Sequence, residues 1–436
     1  MKRDFDILFV DQTGELGGAE LCLAEVAFRL RHRSSVLLFE AGPFQRLLEE
    51  RGIKTILLQD QPRSQSRRVF RGTKEIGKKS KLGAYFFFLP AFVRLLFGTL
   101  RAARAFDLLY ANTAKALIVT ALVSRVLRKP FLFHLHDIID ADHFAPLNRW
   151  LLVNAANHAT GIIANSEATA RAYQKAGGHN RNLKVLPNGF DIERFGARTE
   201  EEIWATRSAI CSEDQFLVGL FGRITKWKGQ KVLIRALSRL QAVSVVIVGD
   251  ALFTDEDRQY KQELVDLVRQ LGLEDRVHFA GFQQDVLPFL EAVDIVVHCS
   301  IFPEPFGRVI VEAQLAGKPV IAARGGAAPE IVEDGVSGIL VAPGDSVGLA
   351  SAIESLLRDP ARAGQMAAKG RELAEQHYAL DGVLRNWVDF IDQSIRGVST
   401  NTRATTLPYS VHGRSGAAVG LASEAAPRGG AGANKC

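Results

Sequence analysis

The stretch FPEPFGRVIVEA carries Glu304 and Glu312 on either side of a proline, a glycine and an apolar run. Pro305 pushes the residue before it towards extended backbone, so Glu304 belongs to a loop. A helix is expected to begin near Gly307, with the backbone NH groups of Phe306, Gly307 and Arg308 at its positive end. Glu312 then falls more than a turn inside that helix. A carboxylate at a helix mouth can accept from hydroxyls. One deeper in a crevice can accept from a vicinal diol such as a ribose, and NH groups between the two suit a sugar or phosphate oxygen. The plainer reading is a capping carboxylate followed by a solvent-facing helix glutamate.

Three more stretches hold groups of the right type. In LFGRITKWKGQ, Arg223 leaves a strand and Lys228 opens the next helix. Two cations so placed can clamp a diphosphate, or line a solvated basic loop. In DQTGELGGAE, Gly14, Gly17 and Gly18 let backbone approach an anion, although an ordinary glycine-rich turn has the same composition. In FLFHLHD, His134 and His136 share one face of a strand by its period of two. His136 stands at the carboxyl end, where open parallel sheets build their sites, and His134 reads as a satisfied core histidine. No third ligand is placed to complete a metal site with them. Glu330, in ARGGAAPEIVEDG, reads as a favourable first-turn charge more than as a crevice acid.

Such groups need a scaffold that brings strand ends together. Twelve short apolar or β-branched runs, from FDILFV to GILVA, alternate with segments of helical period. That pattern predicts parallel sheets covered on both faces, and twelve strands are too many for one open sheet of this type. The turn cluster at Pro187, Asn188 and Gly189 marks the break. The reading is an α/β chain of two Rossmann-like domains, 1–187 and 188–376, with a further amphipathic helix over 377–396. Residues 397–436 are rich in Gly, Ala, Ser and Thr, lack apolar periodicity and read as disordered.

Composition narrows the function classes. The 436 residues are 47% hydrophobic and 23% charged, as in a globular protein. Cys22, Cys211, Cys299 and Cys436 are scattered without metal-ligand spacing, which suits a reducing cytoplasm. The start MKRDFDILFV does not read as a signal peptide. Arg63, Arg67, Arg68, Arg71, Lys74, Lys78, Lys79 and Lys81 stand against Glu75 alone, more than the whole chain's net +6. No aromatic-interleaved basic face continues elsewhere, which argues against a nucleic-acid partner. The apolar run Ala84–Leu100 follows directly, interrupted by Pro90 and Arg94. Two readings stand for it: a core helix, or part of a segment 63–100 that holds the protein to an anionic membrane surface.

Taken together these residues resemble the family-4 retaining glycosyltransferases of the GT-B fold. The match runs in order through Gly17-Gly18, His136-Asp137, PNGFD at 187–191, GRITKWKG at 222–229, Gly281-Phe282, PEPFGRVIVEA and GGAAPEIVEDGVSGILV. The resemblance implies parallel sheets facing across a cleft, with the acceptor on the first domain, the nucleotide sugar on the second, and the last helix crossing back to the first. Arg223 and Lys228 would neutralise the departing diphosphate. Glu304 with the Phe306–Gly307 backbone would hold donor-sugar hydroxyls, and Arg308 would lie at the same helix start. Glu312 would hold ribose, Phe282 would lie near the base, His136 would contact the reaction centre, and Gly17 and Gly18 would approach the diphosphate or sugar. It also implies a metal-independent hexosyltransferase with no cofactor besides its UDP- or GDP-sugar substrate. The acceptor would be a sugar or a lipid-linked or polysaccharide precursor, met in the cytoplasm at the inner face of the membrane. A transferase with a small soluble acceptor, a nucleotide-sugar epimerase and a non-catalytic sugar-nucleotide binding protein are the competing readings.

Overall fold

The computed structural model describes residues 5–12, 14–58, 81–141, 144–252 and 254–396. Most of the basic run 63–81 and the whole tail 397–436 lie outside the described residues.

Two parallel sheets organise the chain. The first contains β1 (Ile7–Asp11), β2 (Ser34–Leu38), β3 (Thr55–Leu57), β4 (Leu108–Ala111), β5 (Phe131–Leu135), β6 (Gly161–Ala164) and β7 (Leu183–Val185), in the order β3-β2-β1-β4-β5-β6-β7. The second contains β8 (Phe216–Phe221), β9 (Val243–Val248), β10 (Val277–Gly281), β11 (Ile295–His298), β12 (Val320–Ala323) and β13 (Ile339–Val341), in the order β10-β9-β8-β11-β12-β13. Sequence pattern missed β7. It is three half-buried residues with Lys184 in the middle, too short and polar to read as an apolar run.

Each sheet is buried on both faces, as parallel sheets must be. Leu8 and Val10 pack with the helices Ala114–Leu127 and Pro146–Asn157, while Ile7 and Phe9 pack with Gly18–Arg29 and the last helix, Leu380–Arg396. In both sheets the order reverses once, between β1 and β4 and between β8 and β11. Loops leaving the carboxyl ends of those strands diverge and open a crevice, which is where such sheets bind ligands.

The chain passes from the first sheet to the second through Leu186–Phe190 and returns through Tyr378–Leu380. The two crossings are laced together, with Phe190 N donating to Tyr378 O and Leu380 N donating to Phe190 O, both at 2.8 Å. Beyond the return, Trp387 sits against Phe9 and Tyr110, and its Nε1–H donates to the Tyr110 hydroxyl at 3.1 Å.

The helix Lys81–Ala103 carries the apolar run. Phe92, Leu95, Leu96 and Leu100 pack on the core, while Val93 and Phe97 stay exposed. Among the described residues no helix is long and apolar enough to cross a membrane.

Trp387→Ala removes a fully buried indole and its hydrogen bond. It is expected to lower stability by about 3–5 kcal/mol in urea unfolding, the usual cost of a large aromatic cavity. A change under about 1 kcal/mol would mean the last helix is not part of the first domain's core.

Candidate active site

The loops that leave β8 and β11 meet at the reversal point of the second sheet. After β8, a short 3-10 turn covers Lys226–Lys228, and Gly229 follows in the left-handed region at φ 71°. A Cβ on Gly229 would stand 2.1 Å from the Cys299 carbonyl oxygen, so only glycine lets the two loops touch. Ile301 N then donates to Trp227 O at 2.8 Å. Gly326, at φ 60°, closes the other side, because a Cβ there would stand 2.0 Å from Glu304 O. Glu304 pairs with Gly326 in an isolated parallel bridge, and Ala327 N donates to Glu304 O at 2.9 Å.

These backbone approaches hold one carboxylate in place. Glu304 Oε2 accepts from Lys228 Nζ at 2.7 Å, from the Ser300 hydroxyl at 2.9 Å and from His298 Nε2–H at 3.2 Å. Burial alone would raise the Glu304 pKa. The Lys228 charge and the His298 hydrogen bond outweigh it, and the group is held well below the usual carboxylate range. Lys228 also lies 4.3 Å above the Trp227 ring.

The helix Arg308–Leu315 begins beside this cluster, with Gly307 at its N-cap. The Phe306 ring is buried between Phe190 and Tyr378, so the residue offers the site its backbone rather than its side chain. Arg308 Nη2 donates to Glu312 Oε1 at 3.1 Å, and its guanidinium stacks on Phe190 at 4.5 Å. Its Cδ approaches the first domain so closely that a Cβ on Gly18 would stand 3.2 Å away.

The first domain supplies the facing wall. Gly17 caps the helix Gly18–Arg29, and the Glu20 carboxyl folds over it. Burial, and then the Asp11 charge, push Glu20 up to about 8. Asn112, just after β4, donates to Asp11 at 2.7 Å, so its amide oxygen is left to accept. His136 Nε2–H therefore donates to that oxygen at 3.1 Å, leaving Nδ1 as the unprotonated nitrogen. Burial, with the Arg308 charge nearby, pulls His136 down to about 3, so the ring is neutral at physiological pH. Arg223, placed 6.0 Å from the Trp227 ring, contributes positive charge at Glu20.

The structure thus groups most of the residues singled out by sequence, with changes. Lys228 and Glu304 form a pair, as do Arg308 and Glu312; Gly18 meets Arg308 across the domains. Gly14 packs against the Ala41 and Gly42 backbone, where a Cβ would not fit. Phe282 stands half exposed just past β10, and no hydrogen bond, ion pair or ring contact links it to the cluster among the described residues. His134 is not the satisfied core histidine expected, because its Nε2 has no partner among the described residues. Glu330 does lie in a first turn, yet its carboxylate reaches the other domain. Sequence reading missed His298 and Ser300, although HCS at the end of an apolar run puts both on one face two residues apart. Among the described residues no cluster of His, Cys, Asp or Glu is arranged to hold a metal ion.

Two family models match the chain, Glycosyltransferase Family 4 over residues 16–194 and Glycosyl transferases group 1 over residues 204–373. The solved structure of Anabaena HepE in complex with UDP-glucose is 39% identical, with a TM-score of 0.79, covering 89% of this chain and 100% of that one. The chain belongs to glycosyltransferase family 4. Its two sheets are those of the GT-B fold. This family-4 chain is also 34% identical over 222 residues to the lipopolysaccharide core biosynthesis glycosyltransferase LpsE of Rhizobium meliloti, covering 51% of this chain and 61% of that protein. It is 32% identical over 254 residues to the GDP-mannose-dependent phosphatidylinositol monomannoside mannosyltransferase of Mycolicibacterium smegmatis, covering 56% and 62% of the two chains. It therefore matches about three fifths of the length of those two curated relatives.

The depressed Glu304 pKa has a stability consequence for this family-4 chain. The ionised pair contributes above the unfolded value of 4.5, and its contribution is lost as pH falls below that towards the folded pKa. Glu304→Gln, which strands the Lys228 ammonium, is expected to cost about 3 kcal/mol at pH 7, at the lower end for breaking a buried pair. In unfolding titrations the gap between wild type and variant should narrow steadily as pH drops from 5 to 3. A gap constant across that range would show that the pair does not depress Glu304.

Proposed function

We propose that the chain transfers a sugar from a nucleotide diphosphate donor to a hydroxyl acceptor with retention of anomeric configuration. The observation that carries this reading is the Lys228–Glu304 pair, set at the start of the helix Arg308–Leu315 and opposite the Gly17–Gly18 loop. In transfer the bond from the sugar anomeric carbon to the diphosphate oxygen breaks, and the acceptor oxygen bonds that carbon from the same face. The acceptor proton leaves with the diphosphate. Negative charge grows on the departing oxygen as the sugar becomes oxocarbenium-like. Arg223, Lys228 and the NH groups at Phe306, Gly307 and Arg308 are the groups proposed to meet that charge.

Glu304 holds Lys228 in position and accepts from donor-sugar hydroxyls. Glu312 accepts the ribose diol. Arg308 occupies only its Oε1, and Oε2 has no hydrogen-bond partner among the described residues. Neutral His136 offers Nδ1 as an acceptor towards the sugar, with the Gly17–Gly18 backbone beside it. Phe282 would approach the base. Domain closure about the laced crossing at Phe190 and Tyr378 would exclude water, without which hydrolysis would compete.

The acceptor is proposed to be a lipid-linked or polysaccharide precursor at the inner face of the membrane. Support comes from the outward side of three adjoining helices, Lys81–Ala103, Ala114–Leu127 and Pro146–Asn157, none of which contains an Asp or Glu. Phe97 is 65% exposed there, Val126 66% and Trp150 61%, with Arg94, Arg101, Arg125 and Arg149 in the same helices. Apolar anchors among cations without acids suit anionic lipid. The names of LpsE and the mannosyltransferase point the same way for those proteins.

UDP-glucose, the ligand of HepE, is the first donor to test, followed by GDP-mannose. Acceptor-dependent release of nucleoside diphosphate is expected from a panel of UDP- and GDP-sugars. Absence of release with every donor would leave a binding protein. Glu312→Ala should weaken UDP binding by about 2 kcal/mol in calorimetry, the cost of losing a charged acceptor. Unchanged affinity would reject its ribose role. Replacing Phe97, Val126 and Trp150 by Ser should reduce sedimentation with phosphatidylglycerol vesicles at least about tenfold. Equal sedimentation of wild type and variant would make this face ordinary surface.

A further inference from the structure

Besides the two chain crossings, the domains are joined by a second set of contacts. The helix Glu167–Lys175 follows β6 in the first domain and points its N-terminus across the cleft. Two side chains tie it to the second domain. The Ser166 hydroxyl, which caps this helix by accepting from Thr169 N at 3.0 Å, donates its own proton to Pro305 O at 2.6 Å. Glu330 reaches back from the second domain, accepting from Glu167 N at 2.8 Å and Ala168 N at 2.7 Å, and pairs with Arg171 at 3.0 Å. A carboxylate on the first NH groups of a helix is favoured by both hydrogen bonding and the helix dipole.

The partners on the second domain are not independent of the site. Pro305 is the residue after Glu304. Glu330 leaves the Gly326–Ala327 turn, whose backbone is bridged to Glu304 itself. Ser166 therefore holds the loop that carries Glu304 directly, and Glu330 ties the Gly326–Ala327 turn bridged to that loop to the same first-domain helix.

We propose that Ser166 and Glu330 form a cross-cleft clamp that sets the position of the Glu304 loop, making both of them positioning residues for sugar transfer. The clamp rests on the reading of Glu304 as a donor-sugar contact. It fixes how far the first domain stands from the donor when the cleft is closed. An acceptor held by the first domain then meets a sugar held by Glu304 at a distance set by hydrogen bonds rather than by the hinge alone. Geometry of this kind acts on turnover, because displacement by about 1 Å can cost up to a hundredfold in rate, and it acts little on nucleotide affinity.

The test uses the full chain with Glu330→Gln, Ser166→Ala and Ser166→Asp. Aspartate still caps the helix and cannot donate to Pro305, so it separates capping from clamping. Spin labels at Lys175→Cys and Arg235→Cys, exposed helical positions of the two domains, report the interdomain distance in a Cys211→Ser, Cys436→Ser background. Expected are a broadened distance distribution in all three variants and turnover of UDP-glucose lowered about tenfold or more, with UDP affinity within about twofold of wild type. Ser166→Thr, which keeps the hydroxyl, should restore the wild-type distance and rate. Wild-type distances in Glu330→Gln and Ser166→Asp would overturn the clamp. So would broadened distances with unchanged turnover, or loss of UDP affinity and thermal stability in step. If wild type neither binds UDP nor turns over UDP-glucose, the reading of the donor site fails, and the distance measurement alone decides whether the clamp exists.

Discussion

Taking an ammonium and a carboxylate out of water costs several kcal/mol for each, and the pair persists only where geometry and further hydrogen bonds offset that cost. Lys228 and Glu304 meet those conditions. They lie 2.7 Å apart, and Ser300 and His298 complete the same carboxylate oxygen. The arrangement depends on two glycines that let three loops touch by backbone, Gly229 against Cys299 and Gly326 against Glu304. The pair is therefore less a source of stability than a means of holding a cation and a carboxylate at one point of the cleft.

Sheet topology decides where that point lies. With β8 beside β11, the loops after those strands meet at the reversal of strand order. The first sheet repeats the device between β1 and β4, bringing Gly17–Gly18 next to Asp11, Asn112 and His136. The first wall contains carboxyls and neutral rings, and the second contains Arg223, Lys228 and Arg308 against the carboxylates of Glu304 and Glu312, which leaves a surplus of positive charge. That division places positive charge on the side proposed to take the diphosphate. The wall proposed to face the acceptor holds a carboxyl raised to about 8 and an unprotonated histidine.

Much of this was legible in the sequence where local chemistry and fold agree. Pro305 and Gly307 punctuate the stretch around Glu304 so strongly that the helix start could be read within a residue or so. Continuous apolar runs gave away the parallel sheets, and only β7, short and interrupted by Lys184, escaped. What escaped otherwise depends on distance in space. The contact of Lys228 with Glu304 spans 76 residues, and that of Glu330 with Glu167 spans 163. No periodicity encodes such pairs. The packing of Gly14 against Ala41 and Gly42 was not legible, because a glycine needed for close backbone approach has the same letter as one that cradles an anion. Glu330 is the first-turn acid expected, but its reach to another helix was not legible, because a first-turn acid on its own helix and a cap on another helix are chemically the same group.

The proposal that positive groups converge on one pyrophosphate is tested most directly by calorimetry on Lys228→Met with UDP and with uridine. If the ammonium serves the diphosphate, UDP affinity should fall about tenfold or more while uridine affinity stays unchanged. Equal losses for both ligands, or no loss for either, would contradict it, leaving the Lys228–Glu304 pair a structural feature of the loop and nothing more.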